Sequence, residues 1–187
     1  MHTRRLACFL LGLWIGGSIF MGTVAVFSFR SVDRMLDEPL SYSSSAQARE
    51  MIARLGGTAD AGMFLRHHSA ELNRTLFEIW GWTQLVLGFL LLLGLIFGSG
   101  GSKPSMALAA LMLILTAAAH FFVMPPIVGL GREVDFVPRD AASPIRTQLS
   151  AWHSTYSTLE GIKLALGCGL AFMLVVSSHR RRSNGED

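Results

Sequence analysis

Ionisable residues are sparse in this chain, and several fall at helical spacings. His153, Ser157, Glu160, Leu164 and Gly167 follow the four-three-four-three steps of one helical face, polar in its first half and apolar from Leu164 onward. Tyr156 and Lys163 flank that face. Lys163 stands three residues after Glu160, so the two charges can neutralise each other. One use of such a pair is structural, with Lys163 snorkelling toward a membrane boundary. The other is a polar track in which Glu160 takes a proton or a cation, and Leu164 argues against that track crossing a membrane on this helix alone. A second stripe holds Glu71, Thr75, Glu78 and Trp82, with Asn73 and Arg74 beside it. There Glu78 reads as a carboxylate facing a bundle interior. Thr116 and His120 lie one turn apart, and His120 can meet His68 or His153. Glu78, His120, His153, Glu160 and Lys163 are thus the candidates for a polar interior.

The same residues include donors for a metal or a haem. Haem takes one or two axial imidazoles; zinc or copper takes three or four converging ligands. His68, His120 and His153 are the candidate ligands, with His67, Glu71, Glu78 and Glu160 near them. No HxxxH, CxxC or CxxCH spacing is present, so the leading reading carries no cofactor, and a haem or transition metal between helices is the alternative. There is no P-loop, GxSxG, zincin or dinucleotide motif. No nucleophile–base pair is visible either, so the reading leans away from an enzyme.

The elements that would position these side chains are membrane spans. Of 187 residues, 51% are hydrophobic and 16% charged, against about 25% charged in soluble domains; the mean hydropathy is +0.44. That composition excludes disorder. The two cysteines, Cys8 and Cys168, lie in apolar runs and exclude a disulfide scaffold. The net charge of +3 sits mostly at the two ends and does not point to nucleic acid. A bilayer core needs roughly 20 apolar helical residues, and four stretches supply them, at about 6–29, 76–97, 106–124 and 155–177. The expected fold is all-α: a polytopic membrane protein forming one four-transmembrane-helix bundle with two helical outer loops.

Arg4 and Arg5, Lys103, and Arg180, Arg181 and Arg182 fall on one side of four spans, which places both termini in the cytoplasm; a bacterial inner membrane is the expected location. The first span is too long for a signal-peptide core, and Gly12 and Gly16 in it have the GxxxG spacing of close helix packing. In the first loop, Ser43-Ser44-Ser45 leads into a short helix ended by Gly56-Gly57, and a second helical run continues into the second span. In the second loop, Pro125-Pro126, Gly129 and Gly131 are expected to turn the chain. Ser143 and Pro144 then start a helix as N-cap and first residue, which runs into the last span. Both long helices carry a His-Ser pair, His68-Ser69 and His153-Ser154, and a deeper glutamate.

Residues 11–29 (LGLWIGGSIFMGTVAVFSF), 120–133 (HFFVMPPIVGLGRE) and 149–167 (LSAWHSTYSTLEGIKLALG) carry a resemblance. The chain resembles the small four-helix membrane proteins grouped as a domain of unknown function, which are similar to transmembrane protein 205. The resemblance implies an integral membrane protein and supplies no reaction. The function expected is non-enzymatic: membrane homeostasis, transport of a small solute or ion, or assembly. The expected partners are the lipid bilayer and a second copy or another membrane protein. The competing expectation is a membrane redox protein.

Overall fold

The computed structural model describes residues 2–37, 46–98, 101–137 and 143–183; of residues 2, 37, 46–49 and 177–183 only the backbone is described. The Ser43–Ser45 entry and the side chains of Arg180–Arg182 lie outside that description. Among the described residues there is no strand. The helices are α1 (His2–Asp37), α2 (Ala46–Arg54), α3 (Thr58–Phe97), α4 (Lys103–Ala118), α5 (Met124–Val134) and α6 (Pro144–Ser183). Four continuous helical stretches are long and apolar enough to cross a membrane: Thr3–Leu36, Thr58–Phe97, Lys103–Val134 and Pro144–Val176. The chain is an integral membrane protein with a four-helix bundle. The 40 residues of α3 reach about 60 Å at 1.5 Å per residue, twice a hydrocarbon core. Its first turns therefore stand outside the membrane.

Local chemistry sets most boundaries. Gly56 and Gly57 adopt φ of +90° and +91°, a region that favours glycine, and reverse the chain from α2 into α3. Ser102 caps α4 by accepting from the Ser105 N–H at 3.3 Å, with Pro104 in the first turn, where its missing N–H costs nothing. α6 starts at Pro144, and the Thr147 N–H bonds the Ser143 carbonyl.

One expectation is overturned. Pro125-Pro126, Gly129 and Gly131 do not turn the chain; it stays helical through them to Val134. A proline inside a helix clashes with the carbonyl four residues before it, here those of Phe121 and Phe122. A π-helical turn at Ala119–Val123 relieves this by widening the ladder, and the Met124 N–H bonds the Ala119 carbonyl five residues back. The prolines then occupy the first turn of α5, where no donor is needed.

The bundle is sealed at the end that holds both termini. Leu11 and Trp14 of α1, Leu91 of α3, Met112 of α4, and Leu170 and Leu174 of α6 are at most 2% exposed and form the centre of its apolar cluster. Glycines let the helices approach. A Cβ on Gly88 would collide with the Trp14 ring, one on Gly17 with the Trp80 ring, and one on Gly167 would press Ile15 and Met112 at 3.2 Å. Gly12 and Gly16 meet nothing within 4 Å, so the packing glycine of α1 within this bundle is Gly17. Phe9, Phe20, Phe27, Val86, Ile114 and Phe172 point outward, as side chains solvated by acyl chains do.

Gly88→Val therefore overpacks the contact with Trp14 and is expected to destabilise the bundle by about 1–3 kcal/mol. Gly12→Ala is expected to leave it unchanged or slightly firmer, because alanine favours helix. Thermal unfolding of both variants in detergent, followed by circular dichroism, checks the contrast.

Candidate functional site: a cavity between α1 and α6

The site is built on a polar node at mid-bundle. Lys163 of α6 is 2% exposed and Gln84 of α3 is 1% exposed. The Lys163 ammonium donates to Gln84 Oε1 at 2.6 Å and lies 2.6 Å from Glu160 Oε1. Trp14 Nε1 of α1 donates to the same Gln84 oxygen at 2.9 Å. A side-chain amide accepts two donors on its carbonyl, so one oxygen joins α1, α3 and α6.

On the termini side of this node lies the apolar cluster. On the other side the bundle opens into a cavity of about 790 Å³. Its deep end is formed by Ser18, Trp80, Glu160 and Leu164, and its apolar walls by Met21, Val26, Phe77, Met124, Ile127 and Leu149. Its outer rim carries Arg66, Arg74, Asp135 and Arg146. From Arg66 to Trp80 along α3 the depth is about 21 Å. α1 and α6 touch near the termini, where Arg4 donates to the Val175 carbonyl at 3.3 Å and Ile15 packs on Gly167. Farther out the two helices part. Gly22 of α1 and Gly161 of α6 both line the cavity and both face open space. The gap between them is a slit on the side of the bundle.

Ion pairs hold the outer rim. Arg74 makes two 2.8 Å hydrogen bonds to Asp135, one to each oxygen, and one of 2.7 Å to Glu71. Arg132 donates to both Glu71 oxygens at 2.9 and 3.2 Å. His67 Nδ1 lies 2.8 Å from Asp135. The network clamps α3 to the α5 end. Farther round, Arg66 donates to Asp33 of α1 at 2.7 and 3.2 Å, and Asn73 donates to Ser28 of α1 at 2.7 Å. Hydrogen bonding from Arg132 draws the Glu71 carboxyl down to about 2, against the opposing effect of burial and with help from Arg74. Burial opposes ionisation of Asp135, but the bonds from Arg74 and His67 prevail and hold it below the ordinary carboxylate range.

The candidates from the sequence separate. His153 and Glu160 line the cavity, and Lys163 lies in the node beneath it. Glu78 is exposed and outside the lining. His120 is half-buried at the π-turn, its ring 4.8 Å from that of Trp82 and 4.9 Å from that of Phe121; a Cβ on Gly81 would strike its imidazole. His68 is exposed. Among the described residues, the ligand atoms that gather within 4.8 Å belong to His67, Glu71 and Asp135, and not to His68, His120 and His153. Two guanidinium groups already occupy the carboxylates of that cluster. Gln84, Asp135 and Arg132 were not foreseen. A single amide inside an apolar span was the available signal for Gln84. Asp135 and Arg132 fell in a segment expected to be a loop.

Residues 59–134 match the family model of a domain of unknown function (DUF4149). That segment runs from the start of α3 to the end of α5 and covers one wall of the cavity together with Glu71, Arg74 and Arg132 of the clamp. Comparison with curated proteins gave no match, and comparison with solved structures gave none.

The depressed carboxyls make the rim sensitive to acid. A carboxylate whose folded pKa lies below its unfolded value adds stability above the unfolded value, near 4, and loses it as pH falls through the folded value. Thermal stability is expected to be flat from pH 8 to about 5 in this respect and to fall from pH 4 toward 2. Asp135→Asn is expected to cost about 1.5–3 kcal/mol at pH 7 by removing charged hydrogen bonds from Arg74. It should also flatten the acid limb. Melting curves across pH for both proteins provide the check.

Proposed function

We propose that this integral membrane protein is a non-enzymatic binder of a small lipophilic molecule, which it holds in the cavity between α1 and α6 and reaches through the side slit. The observation that carries this reading is the cavity itself: polar at its rim and its floor, apolar between, and open toward the lipid. Binding pockets for small molecules have this makeup, with apolar walls and a few placed polar groups, and volumes of about 300–1,000 Å³. The apolar cluster seals the termini side, which supports a site for binding or carriage over a continuous pore. Such a site serves membrane homeostasis or the movement of a lipophilic solute. By the distribution of Arg4, Arg5, Lys103 and Arg180–Arg182, the termini face the cytoplasm of a bacterial inner membrane, and the cavity faces the outer leaflet.

The test uses the protein in phosphatidylcholine nanodiscs and the neutral fluorophore N-phenyl-1-naphthylamine. Saturable binding at one probe per chain, above the background of empty nanodiscs, is expected. Gly161→Phe, which places a ring in open space on the cavity wall, is expected to weaken it at least tenfold without lowering the melting temperature. Binding that is absent, or untouched by Gly161→Phe, overturns the reading. An absorption spectrum and metal analysis of the same sample address the redox alternative: a Soret band or a stoichiometric transition metal would support it.

A further inference from the structure

Pro125 and Pro126 have no N–H to give, and this leaves acceptors unpaired near the end of the third span. The Phe121 carbonyl would take its helical hydrogen bond from the residue four or five positions on, and both are proline. The His120 carbonyl has Met124 and Pro125 at those positions, and the Met124 N–H is already given to Ala119. Among the described residues no side-chain hydrogen bond reaches either carbonyl. The π-turn removes the steric clash but not this deficit. A backbone carbonyl without a donor is costly where hydrocarbon surrounds it. The carbonyl end of an interrupted membrane helix is a seat for a cation.

A carboxylate stands level with this seat. α3 runs antiparallel to the stretch from α4 to α5, and two contacts fix their register. The Trp82 ring lies 5.8 Å from that of Phe121, and Glu71 pairs with Arg132. The two contacts are separated by the same number of residues on either helix, so the register between them is unbroken. Glu78, one turn from Trp82, therefore comes level with Pro125, one turn from Phe121. A helical carbonyl points along the axis toward the residue four positions on, so that of Phe121 opens at the level of Glu78. Pro125 and Glu78 are both exposed, and a Cβ on Gly129, the next turn along, would meet nothing within 4 Å. Glu78 makes no hydrogen bond or ion pair among the described residues, and Arg132 gives its hydrogen bonds to Glu71. Trp82 is 53% exposed and adds an aromatic ring that attracts cations. Glu78, Trp82, Phe121 and Pro125 all lie outside the lining of the cavity between α1 and α6.

The depth of the seat points to the kind of cation. The second apolar span begins at about residue 76 and the third ends at about 124, so Glu78 and Pro125 stand where hydrocarbon gives way to headgroups, at the end away from the termini. The cations a bilayer itself holds at that level are headgroup ammonium groups. A primary ammonium has three N–H donors and can bond the carboxylate and the carbonyls together, in charge-assisted hydrogen bonds. A trimethylammonium has none.

We propose that the flank where α3 meets the π-turn and α5 binds a lipid with a primary-ammonium headgroup, the ammonium seated between the Glu78 carboxylate and the carbonyls of His120 and Phe121. This site is separate from the cavity and stands whether or not the cavity binds a ligand.

The experiment mixes the full chain in detergent with equal amounts of dioleoylphosphatidylethanolamine and dioleoylphosphatidylcholine. These lipids share their phosphate and chains and differ in the N–H groups of the ammonium. Retained lipid is counted by native mass spectrometry, and at least tenfold more of the ethanolamine lipid is expected. Glu78→Gln is expected to bring the ratio within twofold; the residue is exposed, so the variant is expected to fold as the parent does. Pro125→Ala combined with Pro126→Ala returns N–H donors to the helix and is expected to abolish the preference with Glu78 intact. Should that double variant fail to fold, Pro125→Ala alone, whose N–H lies four residues from Phe121 and five from His120, carries the same expectation. Glu133→Gln, a change at an exposed acid off this face, is expected to leave the ratio as it was. Free ethanolamine at the concentration of the lipid is expected to displace none, which assigns the ligand to the bilayer and not to the aqueous phase. Equal retention of the two lipids overturns the proposal, since water would then satisfy the carbonyls. So does a preference that survives Glu78→Gln or the return of the N–H donors, and so does displacement by free ethanolamine.

Discussion

An ammonium group in hydrocarbon is costly, on the order of 2.5–3.5 kcal/mol even on insertion scales that allow for snorkelling. Lys163 is 2% exposed and has no route to the surface, so its neighbours must carry it. Glu160, one turn earlier on α6, balances the charge, and Gln84 of α3 takes the hydrogen bond. Because the Gln84 carbonyl also accepts from Trp14, satisfying one charge fixes the mutual position of three helices. The node also divides the bundle. On one side the side chains are apolar and interlocked. On the other the interior has polar groups that a closed apolar core could not tolerate.

The cavity follows from which helices are tied to which. α1 is fastened to α3 along most of its length, through Trp14–Gln84, Ser28–Asn73 and Asp33–Arg66. α3 is fastened to the end of α5 by Arg74–Asp135 and Arg132–Glu71. α6 packs against α4 and α5. The contacts Arg4–Val175 and Ile15–Gly167 tie α1 to α6 in the termini half. Among the described residues, the ion pairs beyond the node run from α1 to α3 and from α3 to the end of α5, and the small residues Gly22, Ala25, Ser157 and Gly161 that line the facing sides of α1 and α6 do not fill the gap. The π-turn before Pro125 contributes as well. It keeps the helix going past the membrane span, so that Asp135 arrives beside Arg74 and His67.

The four spans could be read from the sequence because hydrocarbon imposes one requirement on every residue of a crossing helix, and runs of apolar residues answer it. The start of α6 is visible for a different reason: the Ser143-Pro144 pattern acts within one turn. The continuation through Pro125-Pro126 was not visible, since its outcome depends on whether the ladder can widen. Of the site, His153 and Glu160 stand out by their spacing on one face and Lys163 by its place three residues after Glu160, and the structure has them at or under the cavity. Glu78 had the same spacing and points elsewhere, because periodicity says which residues share a face and not which face turns inward. The cavity had no sequence signal at all. It is a space between helices far apart in the chain, and only the ties made elsewhere in the bundle leave it open.

A slit on the flank of a membrane bundle also changes what concentration means. A molecule entering through it comes from the surrounding leaflet, so occupancy follows mole fraction among the lipids and not molarity in water. Partitioning has already concentrated such a compound before the protein meets it. A pocket of modest intrinsic affinity will then stay filled by a substance scarcely detectable in the surrounding solution, and its occupancy will rise and fall with the make-up of the membrane.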